Sequence, residues 1–121
     1  MDNKEFGKIL EQRTRNFAVI IVKLSAVLPD TPEIKVIRYQ LSKAGTSVGA
    51  NYREANRGRS KADFSNKIKI CESECSESVF WLEIIEELNL LSESKIKPVL
   101  TEANELLAIF TSIGKNLKNK T

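Results

Sequence analysis

Residues 40–60 read QLSKAGTSVGANYREANRGRS, and within this stretch one predicted helix ends and the next begins. Its first half is rich in small residues, including two glycines. Each glycine sacrifices up to about 1 kcal/mol of helix propensity relative to alanine. We expect a second helix to approach closely here and so compensate that loss. The small residues are Ala44, Gly45, Ser47, Gly49 and Ala50.

The end of this stretch predicts a turn between two helices. Gly58 is expected to take the left-handed conformation that closes many helices. Ser60, followed three residues later by Asp63, resembles a capping box at the start of the next helix. At the start of the preceding helix, Thr31 is the predicted N-cap and Pro32 suits the first helical position.

Apolar residues recur at three- and four-residue steps along most of the chain, which is the pattern of amphipathic helices. Four helices are predicted, over about residues 4–28, 32–56, 61–89 and 93–117. Short turns join these helices of similar length. We therefore predict an all-α fold, an up-down-up-down antiparallel four-helix bundle that forms a single domain over residues 1–121.

The first and third helices differ in their apolar patterns. The first helix is predicted to bury one long stripe, which Arg13 interrupts. The third is apolar over more than one face, so we expect it to contact several neighbours, either centrally in the bundle or at a subunit interface. The stripe of the first helix consists of Phe6, Ile9, Leu10, Phe17, Ile20, Ile21, Leu24 and Leu28.

A polar cluster is predicted beside the buried face of the second helix. Asn51 continues a seven-residue row with Ile37 and Ala44, where an apolar side chain is expected. A buried amide or carboxylate without a partner costs about 1–3 kcal/mol, so these groups need hydrogen-bond partners. For the glutamates of the third helix we expect basic partners on the second helix or on another subunit. The predicted structural cluster is Ser47, Asn51, Glu54, Glu74 and Glu77.

The composition suits a soluble helical bundle, since 41% of the 121 residues are hydrophobic, 29% are charged, and only 5 are Gly and 3 Pro. The net charge of +3 is unevenly distributed. Residues 1–71 hold fourteen Lys or Arg against seven Asp or Glu, and residues 72–121 hold five against nine. This basic half either presents a cationic face to a nucleic acid or lies beside acidic helices.

Neither a signal peptide nor a membrane span is predicted. The longest purely apolar run, residues 18–22, is far too short to cross a bilayer. Cys71 and Cys75 are four residues apart on one predicted helix, where parallel side chains rarely reach disulfide geometry. We therefore predict a reduced, cytoplasmic protein without membrane association.

The residues that most enzymes use are missing. The chain has no histidine, which removes the commonest general base and the usual ligands of di-iron bundles. Cys71 and Cys75 lack the further ligands of a zinc site, which favours core thiols. A carboxylate metal site built from Glu54, Glu74 and Glu77 is less favoured than ion pairs. We predict no catalytic residues, no metal and no cofactor.

A cluster of cations at the turn is the candidate nucleic-acid site. Phosphates require positive charge at suitable spacing, and Arg53, Arg57, Arg59 and Lys61 supply it. The aromatic residues among these cations are limited to Tyr52 and Phe64, which does not favour base stacking. The alternative is a structural or protein-interaction module in which these cations serve subunit contacts. Further cations from neighbouring elements or subunits are Arg13, Arg15, Lys67 and Lys69.

Spaced residues over roughly 38–88 carry a resemblance to a known family. The chain resembles the four-helix-bundle family of 23S rRNA intervening-sequence proteins, to which the accessory variability protein of diversity-generating retroelements is also similar. Ala55 stands where the family usually has glycine. The matching residues are Gln40-Leu41-Ser42-Lys43-Ala44, Ser47-Val48, Asn51, Glu54, Arg59-Ser60, Asp63-Phe64, Glu74, Glu77 and Phe80-Trp81-Leu82-Glu83.

The resemblance implies a bundle assembled into a ring-shaped homopentamer. It also implies an association with RNA or another nucleic acid, which the retroelement relatives support. It brings no catalytic residues. From the resemblance and the basic surface together, we expect a non-enzymatic homo-oligomer whose partners are copies of itself, RNA or DNA, and potentially a protein.

Overall fold

The computed structural model describes residues 1–119, and in that range the chain forms four α-helices and no strand. The helices are α1 (Asn3–Ala26), α2 (Pro32–Asn56), α3 (Lys61–Glu87) and α4 (Glu93–Asn119). Each helix packs on the next along the chain, while α1 and α4 touch only sparsely. The predicted all-α helical bundle is confirmed. None of the helices described combines the length and apolarity needed to cross a bilayer.

Side-chain caps fix three of the helix starts. The Thr31 hydroxyl accepts a hydrogen bond from the Ile34 N–H at 3.3 Å, and the Ser60 hydroxyl accepts one from the Asp63 N–H at 3.1 Å. Asp2 caps α1 in the same way through the Glu5 N–H, at 2.8 Å. Each cap satisfies a backbone donor that the first helical turn leaves free. The N-caps predicted at residues 31 and 60 are thus confirmed.

The turn after α2 differs from the prediction, because no glycine of the chain has a positive φ. The helix ends instead through two tight bonds, from the Arg57 N–H to the Glu54 carbonyl and from the Gly58 N–H to the Ala55 carbonyl, both 3.1 Å. These bonds keep the backbone right-handed, so the left-handed conformation expected at Gly58 is wrong.

The left-handed residue lies at the end of α3, where Asn89 has φ 53°. Its N–H bonds the Glu86 carbonyl at 3.0 Å, and the next N–H, of Leu90, bonds the Ile85 carbonyl at 3.2 Å. These two bonds form a Schellman closure. Asparagine tolerates this conformation better than other residues with a Cβ, which explains how α3 ends without glycine.

Replacing Asn89 by alanine should therefore destabilise the protein by about 1 kcal/mol, because a plain Cβ is disfavoured in the left-handed region. Replacing it by glycine should leave stability unchanged or raise it slightly. Urea denaturation followed by circular dichroism measures both free energies of unfolding. Equal stabilities for the alanine and glycine variants would contradict the left-handed conformation at this position.

All four helices contribute to one core. Tyr52 is 2% exposed and meets the ring of Phe110 edge-on, with the ring centroids 5.5 Å apart. The largest fully buried side chains include Phe17 and Ile21 from α1, Leu41 and Val48 from α2, Ile68, Leu82 and Ile85 from α3, and Ile96, Leu106 and Phe110 from α4.

The buried stripe of α1 is narrower than predicted. Phe6, Ile9 and Ile20 are 40%, 52% and 44% exposed, so their assignment to the core is wrong. The reason is that α1 packs mainly on α2 and has little contact with α4. The flank of the stripe therefore faces solvent.

Small residues of α2 let α1 approach closely, as the sequence indicated. A Cβ at Gly45 would lie 2.7 Å from Cγ2 of Ile21. A Cβ at Gly49 would lie 3.2 Å from the carbonyl oxygen of Thr14. The Thr14 hydroxyl is buried and donates to the Leu10 carbonyl at 2.9 Å. This crossing sets the distance between the surfaces of α1 and α2.

Candidate nucleic-acid interface

A groove between α1 and α2 brings three arginines together. It measures about 740 Å³, and Arg15 lines it from α1 while Arg53 and Arg57 line it from α2. We call it the arginine groove. Gly49 and Ala50 are among the small residues that also line it. A second depression continues the groove past Arg15 and Arg53. It adds Lys8 and Gln12.

The local sequence explains this arrangement. Arg53 and Arg57 are four residues apart, so they lie on one face of α2. Gly49, one turn before Arg53, allows α1 to approach at Thr14. Arg15 follows Thr14 directly and therefore reaches the rim of the same groove.

Within residues 1–119, no ion pair or side-chain hydrogen bond engages Arg15, Arg53 or Arg57, and all three are exposed. The two carboxylates that line the groove are engaged. Glu54 binds Lys67 at 2.8 Å, and Glu11 accepts a hydrogen bond from the Asn56 amide at 2.8 Å. The groove therefore offers a net positive charge to a ligand.

The remaining predicted cations lie at a separate place. Arg59 and Lys61 line a depression of about 360 Å³ at the turn between α2 and α3, together with Gly58, Ser60 and Phe64. We call it the turn pocket. Both cations are exposed, and neither has an ion pair in the described part of the chain. The four cations of the predicted site thus form two groups.

Among the additional cations considered, Arg13 and Lys67 are occupied. Arg13 donates two hydrogen bonds to Glu102, at 2.7 and 2.6 Å, and one to Glu105 at 3.3 Å. The hydrogen bond to Glu102 raises the pKa of Arg13. Lys69 is exposed on α3, beside a depression that faces α4. Arg13 and Lys67 therefore hold helices together rather than extend the cationic surface.

Lys8 is the groove cation that sequence reasoning missed. It lies seven residues before Arg15, which places both side chains on one face of α1. That spacing was a signal that could have found it. The contact of this face with Arg53 depends on the α1–α2 crossing, which no local pattern reveals.

The polar residues of α2 make short-range hydrogen bonds. The Ser47 hydroxyl donates to the Lys43 carbonyl at 2.6 Å, and the Asn51 amide donates to the Ser47 carbonyl at 2.8 Å. Asn51 is half-buried rather than in the core, because Tyr52 takes the buried position. Glu54 reaches α3, where the hydrogen bond from Lys67 lowers the pKa of Glu54.

Glu74 and Glu77, the two glutamates of α3 in the predicted polar cluster, are half-buried. Glu77 accepts a hydrogen bond from the Trp81 indole N–H at 3.3 Å. Burial raises the pKa of Glu74, and the neighbouring charge of Glu77 adds to this effect while Lys43 of α2 opposes it. Glu74 thus lies near Lys43 of α2, whereas the hydrogen bond of Glu77 stays within α3.

Both cysteines are free and buried in the core. Burial raises the pKa of Cys71 to about 12 and also raises the pKa of Cys75, so both stay protonated at neutral pH. Within residues 1–119, no group of three or more His, Cys, Asp and Glu side chains is placed to hold a metal ion.

Comparison with known proteins identifies the family. The sequence model of the 23S rRNA-intervening sequence proteins matches residues 9–112. The chain belongs to this family. The matched range contains the residues that line the arginine groove and those of the turn pocket except Leu117. The resemblance inferred from residues 38–88 is confirmed.

A solved structure supports the same assignment. It is a crystal structure of a protein with unknown function from the S23 ribosomal protein family of Bacteroides thetaiotaomicron VPI-5482. The two chains are 32% identical with a TM-score of 0.80, and the match covers 90% of this chain and 97% of the other. No curated protein matches the chain. The two proteins therefore share this helical fold.

Proposed function

We propose that this protein is a non-enzymatic, homo-oligomeric nucleic-acid-binding protein that holds the phosphates of RNA or DNA in the arginine groove. The observation that carries the proposal is the set of three exposed arginines around one groove, none of which has a protein partner among residues 1–119. A guanidinium presents a planar fork of donors that matches a phosphate. The proposal places the protein in the cytoplasm, where its two buried thiols stay reduced.

The shape of the groove also suits a nucleic-acid strand. Arg53 and Arg57 are one helical turn apart, about 6 Å along the axis, so their heads are spaced to engage phosphates of neighbouring nucleotides. The small side chains of Gly49 and Ala50 leave room for the sugar-phosphate chain. Contacts of this kind fix a strand in place without reading its sequence.

We propose further that the protein assembles into a homopentameric ring, as its resemblance to the family implies. Two separate apolar surfaces support self-association. Because α1 and α3 do not touch each other in the bundle, their outer faces point away in different directions. Two unlike surfaces favour a head-to-tail contact, which closes into a ring, over a two-fold contact. The exposed apolar residues include Ile9, Val19, Ile20 and Val22 on α1, Val27 at the C-cap of α1, and Ile70, Phe80 and Leu88 at α3.

Charge supports the same contact. Residues 72–87 of α3 contain six glutamates and no Lys or Arg. The helix α1 carries five Lys or Arg against two Glu. An acidic, partly apolar α3 is therefore complementary to a basic, partly apolar α1 of another copy.

One pair of solution measurements tests this function. Light scattering should give the mass of five chains of 13.6 kDa each. Anisotropy titrations against mixed RNA and mixed DNA should show affinity that falls steeply as salt rises, because binding releases counterions. A monomeric mass contradicts the ring. Affinity that does not respond to salt contradicts phosphate binding.

The exposed apolar surfaces also favour a second candidate, a structural or protein-interaction module without a nucleic-acid role. For such a module, neither nucleic acid should bind at physiological salt. Reversing the charges of Arg57, Arg59 and Lys61 together should then dissociate the oligomer, since these cations would serve subunit contacts.

A further inference from the structure

A cavity at one end of the bundle is separate from the arginine groove and shares no lining residue with it. It opens between the first turns of α1 and the last turns of α4 and measures about 780 Å³. We call it the end cavity. Its apolar lining includes Phe6, Tyr52, Phe64, Ile113 and Leu117. The sparse contact between α1 and α4 leaves this space open.

The lining brings together three of the eight aromatic residues of the chain. Phe6 is 40% exposed and Phe64 is half-buried, so parts of both side chains are accessible. Tyr52 is held in the core against Phe110 and is the fixed member of the set. Aromatic side chains are the usual stacking partners of unpaired bases, and each stack strengthens binding on the order of tenfold.

Polar groups accompany the aromatic lining. Asn3, Asn56, Ser112 and Asn116 also line the cavity. An amide carries both donors and an acceptor, which is what the edge of a nucleobase requires. The Asn56 amide already donates one hydrogen bond to Glu11, while Asn3 and Asn116 are exposed at the rim of the cavity. The mixed lining therefore favours a flat ligand with a polar edge.

The end cavity adjoins positive charge. It shares Asn56, Phe64 and Leu117 with the turn pocket, where Arg59 and Lys61 are exposed and have no ion pair in the described chain. A nucleotide whose base enters the cavity would carry its phosphate to these two cations. This juxtaposition gives them a role distinct from that of the arginine groove.

We propose that the end cavity receives an unpaired base of a single-stranded nucleic acid, with the adjoining phosphate on Arg59 and Lys61. The inference rests on the proposed nucleic-acid-binding function and names its ligand class as single strands rather than duplexes. In a duplex each base is paired and stacked, and extruding it is unfavourable. A duplex therefore binds at the arginine groove but not at the end cavity.

The test compares a 12-nucleotide RNA carrying a central 2-aminopurine with the same RNA annealed to its complement. The variant Phe6→Leu/Phe64→Leu keeps apolar side chains at both positions and removes the rings. It should weaken single-strand binding about tenfold or more and leave duplex binding unchanged. It should also abolish the change in 2-aminopurine fluorescence on binding. Equal effects on the two ligands, or none on either, would overturn the inference.

Two further variants keep this test decisive. Ser112→Glu places a negative charge at the exposed rim of the cavity and should cause the same selective loss, even if the double leucine variant folds poorly. Arg53→Glu/Arg57→Glu should weaken single-strand and duplex binding together. If the wild type binds both ligands equally and Ser112→Glu changes neither, the base site fails and the groove stands. If the wild type binds neither, the proposed function itself fails.

Discussion

Replacing Gly45 by valine should lower the free energy of unfolding by about 3 kcal/mol, because the core has no room for the added side chain. A Cβ at this position would already lie 2.7 and 2.8 Å from Cγ2 and Cγ1 of Ile21. Ile21 is fully buried and, as a β-branched residue in a helix, has one strongly preferred rotamer. Either α1 moves away from α2, or Ile21 is strained. Urea denaturation measures the loss.

Gly114 provides the matched control, since a Cβ there meets nothing within 4 Å. Gly114→Val should change stability by no more than about 0.5 kcal/mol, because valine and glycine differ little in helix propensity. Adding Ile21→Ala to Gly45→Val should recover part of the lost stability, since the truncation frees space for the new side chain. A double variant less stable than Gly45→Val alone would show that the two residues do not compete for space.

The sequence was sufficient for features that depend on local chemistry. Thr31 and Ser60 were assignable as caps because an N-cap is defined by its own side chain and the next three residues. The close approach at Gly45 followed from the propensity that a mid-helix glycine sacrifices. These features can be assigned without knowing the positions of distant helices.

The features that the sequence could not provide depend on distances between helices. The exposure of Ile9 and Ile20 follows from the weak α1–α4 contact, which periodicity within α1 does not report. The turn was misjudged at Gly58 because either of two hydrogen-bond patterns can end a helix, and only one of them needs a positive φ.

In the candidate site too, some groupings of residues follow from local spacing and others depend on how the helices pack. Arg53 and Arg57 share a helix face, so their grouping was predictable from their spacing. Arg59 was grouped with them by proximity in sequence, yet α2 ends at Asn56 and the chain changes direction before Arg59. The addition of Arg15 from α1 is a tertiary effect.

Reversing Arg53 and Arg57 to glutamate should weaken nucleic-acid binding by about a hundredfold or more near 0.15 M salt, because two cations that neutralise phosphates become two anions that repel them. The slope of log affinity against log salt should become shallower by about 2, close to one unit for each phosphate that is no longer neutralised. Fluorescence anisotropy over a series of salt concentrations measures both quantities.

The matched control is Lys95→Glu/Lys115→Glu, since both lysines lie on α4, away from the proposed contact between α1 and α3. Both lysines are exposed, form no ion pair in the described part of the chain, and do not line the arginine groove. Each double variant lowers the net charge by four, from +3 to −1. The long-range field therefore changes equally in both. Light scattering should first show that neither variant alters the oligomer.

The difference between the two variants isolates the groove from the overall charge. We expect the control to weaken binding less than about tenfold, because only the long-range attraction is reduced. Equal losses in the two variants would mean that the nucleic acid responds to net charge alone. The arrangement of Arg15, Arg53 and Arg57 would then have no special role in binding. A selective loss would instead require phosphates to lie where α1 and α2 meet, beside the glycine crossing that brings these arginines together.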